Sequence, residues 1–229
     1  MCRFLLTKTE KEIKPEEILV KFAEMSEKSR AFDGDRQEDG WGIIWLDSEK
    51  NWRSVKSVKP IWEDMELLSK IPSTKLFVIH ARSSSFPGHK NNIEFNQPFT
   101  DDNYAFVFNG LLKGVNLTLP GSIGSQKIWS LVQDELKQKE PLEALKIVKE
   151  ALSVNSREIQ ALNIGIAGKE NIYALCFYSK HPDYYSLRYL DSPDHKMICS
   201  EKLSGYDWTS LEADQTVALQ FTDKFSNIR

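Results

Sequence analysis

The stretch Tyr104-Ala105-Phe106-Val107-Phe108-Asn109-Gly110 sits at the pivot of this chain. Its aromatic and β-branched residues predict a strand over Tyr104 to Phe108, and the Asn-Gly pair after it is a strong turn signal. Two helices are expected next, about Gln126 to Lys139 and Leu142 to Ser153. Ile128, Leu131, Val132 and Leu136 give the first a buried stripe, and Leu145, Val148 and Leu152 do so for the second. On the far side the pattern returns to strands, over Gln160–Ala167, Asn171–Tyr178, Tyr184–Leu190, Lys196–Ser200 and Thr216–Gln220.

Working back toward the start, Leu76 to Ala81 is a short apolar run that reads as a strand. Ser83 to Pro98 is rich in Gly, Pro and Asn and reads as a long loop. Gly42–Leu46 and Trp52–Val58 suggest a hairpin, and a short helix is expected over Trp62 to Lys70. Pro15 to Arg30 carries Ile18, Leu19, Phe22 and Met25 at helical spacing, with Pro15 near the first position. Cys2 to Thr7 reads as a first strand, and Asp33 to Asp39 as a loop. Strand-rich ends around a central helix pair argue for an α+β layered fold. Nothing marks a boundary, so residues 1–229 are expected to form one domain.

Composition narrows the function. The chain has 229 residues, 41% hydrophobic and 28% charged, with a formal net charge of -3. Neither sign runs in a long block, which argues against nucleic-acid or membrane-surface partners. The apolar stretch near the start, Phe4 to Leu6, is too short for a secretory signal, so a cytoplasmic location is expected. In that compartment Asn116-Leu117-Thr118 would never meet the glycosylation machinery. No metal-ligand spacing or phosphate-binding loop is present, and no cofactor is expected.

Three cysteines cannot all pair within one chain. Cys176 and Cys199 fall in apolar strands and read as small buried thiols. Cys2 differs by position: removal of Met1 would make it the leading residue. A leading cysteine places a thiol beside an α-amino group of pKa roughly 7.7–8.0, close enough to neutrality to accept the thiol proton. The thiolate is the attacking species, so this arrangement needs no histidine partner.

Four further features accompany Cys2: Asp39-Gly40-Trp41-Gly42-Ile43, His80-Ala81-Arg82, Asn96-Gln97-Pro98-Phe99 and Asn109-Gly110. In this combination and order the chain resembles the class II glutamine amidotransferases. It is most similar to their short stand-alone branch, which includes γ-glutamyl hydrolases of ergothioneine and glutathione metabolism. Leu162-Asn163-Ile164, Cys199-Ser200-Glu201-Lys202-Leu203 and Trp208 extend the resemblance through most of the chain.

The resemblance implies the four-layer αββα sandwich of the N-terminal nucleophile hydrolases. It also implies hydrolysis of a γ-glutamyl-type amide through a Cys2 thioester, with ammonia either released or passed to a separate synthetase. Asn109 and the Gly110 N–H would form the oxyanion hole, Arg82 would clamp the substrate carboxylate, and Ser85 would stand where relatives carry a supporting Thr. His80 is expected to pack or hydrogen-bond beneath this loop rather than react. Ser125 takes the position of an Asp that holds the substrate α-ammonium, and Lys127 that of a Glu; Ser125 could instead be a helix N-cap. Asp101, Asp102 and Asp134 are the other carboxylates considered for that role. Phe108 replaces a frequent His, and Phe86-Pro87 lengthens the loop. A catalytically degenerate binding protein of the same fold is the competing expectation.

Overall fold

A computed structural model describes residues 1–84 and 86–221; Ser85 and residues 222–229 lie outside the described residues. Alternation of side chains explains the layers. In β1 (Arg3–Ile13), Leu5 points to one side while Phe4 and Leu6 point to the other. The same happens in β4 (Thr74–Ala81), where Phe77 and Ile79 share the side of Leu5, and Leu76 and Val78 that of Phe4. A strand apolar on both faces must be covered twice.

Around these two strands the first sheet is completed by β2 (Trp41–Leu46), β3 (Trp52–Ser57), β9 (Arg188–Asp191), β10 (His195–Cys199) and β11 (Thr209–Ser210). Its order is β11-β9-β10-β1-β4-β2-β3, with every described pairing antiparallel. The second sheet contains β5 (Phe99–Thr100), β6 (Tyr104–Val115), β7 (Ser156–Gly168), β8 (Ile172–Cys176) and β12 (Gln215–Leu219), in the order β12-β8-β7-β6-β5.

Helices close the outer faces. α1 (Glu16–Lys28) and α2 (Met65–Ser69) cover the first sheet, with Ile18, Leu19, Phe22 and Leu68 packed into the cluster that holds Leu5 and Ile79. α3 (Gly124–Leu136) and α4 (Pro141–Asn155) cover the second, bringing Ile128, Val132, Leu145 and Val148 against Phe106, Leu162 and Ile164. Between the sheets Phe4, Leu6, Ile44 and Val78 meet Ala105, Val107, Ala174 and Cys176. The result is the expected αββα sandwich. The expected buried thiols are also found: Cys176 and Cys199 are both fully buried, and burial pushes their pKa values up to about 11 and about 12.

Two expectations are corrected. Asn109-Gly110 is not a turn: β6 continues through it to Val115, because the thirteen-residue β7 pairs with it on both sides, including Asn109 to Asn163 and Gly110 to Leu162, with a register shift only after Leu111. Pairing that runs unbroken from Tyr104 to Leu111 outweighs a local turn preference. Tyr184–Leu190 is not one strand either. Pro182 starts a one-turn helix, α5 (Pro182–Tyr185), after His181 at φ 53°, and β9 begins only at Arg188. The loop over Ser83–Pro98 contains two 3₁₀ turns, Pro87–His89 and Ile93–Phe95.

Candidate active site

Arg3, the first residue of β1, is buried and fixed on several sides. Its guanidinium donates to Ser29 Oγ at 3.0 Å and to the carbonyls of Tyr184 and Ser200 at 3.1 Å each. It also pairs with Glu201 at 2.7 Å and lies over the Tyr184 ring. That clamp sets the position of Cys2 immediately before it. The Cys2 thiol is half-buried and donates to the Ser83 carbonyl at 3.5 Å. Burial pushes its pKa up, against the pull of the terminal ammonium and Arg82. A thiol held protonated needs a base before it can attack.

Arg82 follows directly on β4 and is only 5% exposed. It is held by the His89 carbonyl at 2.7 Å, by Ser84 Oγ and by Asn96 Oδ1 at 3.3 Å each. Among the described residues no carboxylate forms an ion pair with it. Burial lowers its pKa, and the neighbouring Cys2 and Asp39 oppose that shift. The backbone around it is tied down: Arg82 N–H donates to the Gly40 carbonyl, and Asp39 accepts from Ser84 N–H and pairs with Lys90 at 2.9 Å. Gly40 has φ +115°, and a Cβ there would come within 2.5 Å of Asn96 Nδ2, so the close approach of Asn96 depends on this glycine.

β6 supplies the opposite wall. β5 begins only at Phe99, and just ahead of it the Gln97 side chain takes over the edge of β6. Gln97 Oε1 accepts from Phe108 N–H at 2.6 Å, and Gln97 Nε2 donates to the Phe108 carbonyl at 3.2 Å. Antiparallel strands alternate the edge to which successive N–H groups point. Gly110, two residues on, therefore aims its N–H along the same open edge, away from β7. The partner strand agrees: Leu162, opposite Gly110, gives its N–H to Phe177 on the far side. Asn109 is 1% exposed, and neither its Oδ1 nor its Nδ2 has a hydrogen-bond partner.

Cys2, Arg82, Asn109, Gly110 and Ser125 line one cavity of about 370 Å³. Ser85 lies outside the described residues. Ser125 is 8% exposed and is not the N-cap of α3; that position is Ile123, and Gln126 Oε1 receives the Ser122 and Ile123 N–H groups. None of Asp101, Asp102 and Asp134 lines the cavity. Asp101 is occupied by a turn and by Gln133, and Asp134 pairs with Lys137. His80 is fully buried, and burial pushes its pKa down to about 3, so it is a neutral packing residue at ordinary pH.

Sequence reasoning missed Asp35, Gln37 and Ser83. The Met1 ammonium donates to Asp35 Oδ2 and Ser83 Oγ at 2.8 Å each, and Asp35 and Ser83 also bond one another. The Met1 carbonyl accepts from Gln37 Nε2 at 2.8 Å and the Tyr184 hydroxyl at 3.1 Å. Tyr185 OH lies 3.1 Å from the Met1 sulfur. Burial raises the Asp35 pKa, but the bonds from the terminal ammonium and Ser83 outweigh it and hold the carboxyl below its usual value. The cluster of Asp and Gly over residues 33–39 was the available signal, and it reads as an ordinary connection until β1 is placed beside it.

The fold is the one seen in solved structures of glutamine amidotransferases. The chain is similar to a glutamine aminotransferase class-II domain protein from Silicibacter pomeroyi, with a TM-score of 0.67 and 18% identity over 96% of this chain and 95% of that one. It is similar to glutamine phosphoribosylpyrophosphate amidotransferase from B. subtilis (TM-score 0.66, 15% identity), covering 96% of this chain but 47% of that enzyme, about half its length. A predicted glutamine amidotransferase from Pseudomonas aeruginosa matches with a TM-score of 0.56 and 14% identity, over 96% and 97% of the two chains. No protein-family model matches, and no curated protein matches. Among the described residues no helix is long and apolar enough to cross a membrane.

Proposed function

We propose that residues 1–229 form one glutamine-amidotransferase-type domain that hydrolyses a γ-glutamyl-type amide, with Cys2 as nucleophile after Met1 is removed. The observation that carries this reading is the buried, unpartnered Asn109 amide on the same cavity as the Cys2 thiol and the Arg82 guanidinium. Leaving a buried amide unpaired costs about 1–3 kcal/mol, a cost that a ligand at Asn109 would relieve.

In the proposed reaction the free Cys2 amine takes the thiol proton, and sulfur attacks the amide carbon. Asn109 Nδ2 and Gly110 N–H donate to the oxygen as it gains charge, while Arg82 holds the carboxylate as a planar fork. The tetrahedral intermediate collapses as the amine returns the proton to the leaving nitrogen. Ammonia departs, to water or to a separate synthetase, and leaves a thioester. Water, deprotonated by the same amine, then cleaves the thioester and restores the thiol. Ser85 and Ser125 complete the substrate contacts. Met1 as an amide-linked neighbour would abolish the base, because an amide nitrogen does not accept the proton.

The test is intact mass followed by a glutamine-directed electrophile. Protein lacking Met1 should be labelled at Cys2 and should release ammonia from a γ-glutamyl amide. Processed protein that stays unlabelled and releases none rejects the reading.

One observation favours a second reading, a non-catalytic binding protein of this fold: the contacts of Asp35, Ser83, Gln37, Tyr184 and Tyr185 hold Met1 in place. Under it, Met1 persists in purified protein and Cys2→Ala leaves function unchanged.

A further inference from the structure

The cavity is not uniform. Around Cys2 it carries the polar side chains of Arg82, Ser83, Ser84 and His89 beside the rings of Phe86 and Phe95, whereas past Gly110 the lining is aliphatic: Leu112 and Val115 on β6, Leu117 after it, Ile123 and Ile128 around the start of α3, and Leu152 on α4. Ile128 and Leu152 belong to the core beneath the second sheet, so this lobe is floored by packed side chains. Charge is equally one-sided. Arg82 and Lys127 both line the cavity, and among the described residues no Asp or Glu does. Lys127 makes no ion pair among the described residues. A free α-ammonium placed at the start of α3 would meet a hydroxyl and a cation, with nothing to balance it.

We infer that the substrate is an N-acylated γ-glutamyl amide: its carboxylate on Arg82, its α-nitrogen neutral beside Ser125, and its acyl chain in the lobe lined by Leu112, Val115, Ile123 and Ile128. This rests on the proposed hydrolysis of a γ-glutamyl-type amide and specifies its substrate. Acylation removes the ammonium charge that Ser125 and Lys127, at the start of α3, cannot balance. It leaves an N–H that the Ser125 hydroxyl can accept, and that hydroxyl has no other hydrogen bond among the described residues. The chain attached at that nitrogen leaves the polar end by way of Ser125, where the apolar walls begin. Hydrolysis then gives ammonia and the N-acylglutamate.

Binding separates this inference from catalysis. The Cys2→Ala protein, freed of Met1, is titrated by calorimetry with glutamine, N-butanoylglutamine and N-octanoylglutamine. Each methylene buried in the lobe should tighten binding about fourfold, so the octanoyl compound should bind on the order of a hundredfold tighter than the butanoyl one. Both should bind more tightly than glutamine. Val115→Asp, at an exposed position where folding is not at risk, should remove most of the difference between the two acyl lengths. Ser125→Asp should shift preference toward glutamine.

Equal binding of the two acyl compounds, tighter binding of glutamine, or no binding of any of them overturns the inference. If the binding order is found but processed wild-type protein releases no ammonia from any of the three, the hydrolytic reading fails and the ligand assignment stands.

Discussion

Asn109 and Asn163 face each other as register partners across β6 and β7, and only one of the two amides is satisfied. Asn163 Nδ2 donates to the Tyr185 carbonyl at 2.6 Å, and its Oδ1 accepts from Phe177 N–H at 3.1 Å. Asn109 has neither kind of partner. The two residues should therefore respond oppositely to truncation. Asn163→Ala strands a buried carbonyl and a buried N–H and should cost about 1–3 kcal/mol of stability. Asn109→Ala should leave the melting temperature unchanged or higher, and lower kcat by roughly 10²–10³ if it donates to an oxyanion. Thermal melts paired with ammonia release separate the two effects.

Gly110 has a second constraint besides its open N–H. A Cβ at that position would lie 2.2 Å from the Ala161 carbonyl oxygen, which belongs to the backbone and cannot swing aside. Gly110→Ala must push β6 from β7 just where the donor is aimed. The expected result is a loss of about 1–3 kcal/mol in chemical denaturation, the range for overpacking, together with loss of activity.

Arg82 is placed by neutral acceptors, Asn96, Ser84 and the His89 carbonyl, so its charge is left for a ligand. Arg82→Lys keeps the charge and loses the fork. The variant should fold, and its KM should rise roughly ten- to a hundredfold, the worth of one charge-assisted hydrogen bond of about 1.5–3 kcal/mol. Initial-rate kinetics across substrate concentration check this; an unchanged KM would free Arg82 of the carboxylate role.

Acid sensitivity follows from His80. Burial holds its pKa at about 3 in the fold, whereas an unfolded histidine titrates near about 6.5. Between those values the unfolded chain binds the additional proton. Unfolding free energy should therefore fall as pH drops below about 6.5, with His80 contributing a slope approaching about 1.4 kcal/mol per pH unit, and this contribution should level off below pH 3. Above pH 6.5 His80 contributes no pH dependence. Urea titrations from pH 7 to pH 4 should show the slope, and His80→Gln should flatten it.

Much of the fold was readable before the structure, and for a definite reason. Ile128 and Val132, and Leu145, Val148 and Leu152, repeat at the helical period, and both helices lie where that period puts them. Phe4, Leu5 and Leu6 repeat at no period because β1 is buried on both faces. Local chemistry misled where distant pairing prevailed, as at Asn109-Gly110. It also misled at Tyr184 and Tyr185, whose β preference yields to Pro182 at a helix start. Of the residues lining the cavity, Cys2 and Arg82 flank β1 and β4, strands that the sequence pattern locates. Asp35 and Gln37 were not legible, since their roles come from contact with Met1, more than thirty positions away in sequence.

The place of β1 carries a practical consequence. Flanked by β10 and β4, this strand is interior to its sheet, and its first pair, Arg3 with Ala81, is adjoined by Cys2 and Arg82, which line the cavity. Met1 already lines the cavity, so a leader or purification tag fused ahead of Cys2 would add chain beside it and block the Cys2 amine. Recombinant protein for any assay should therefore carry its handle on the opposite terminus.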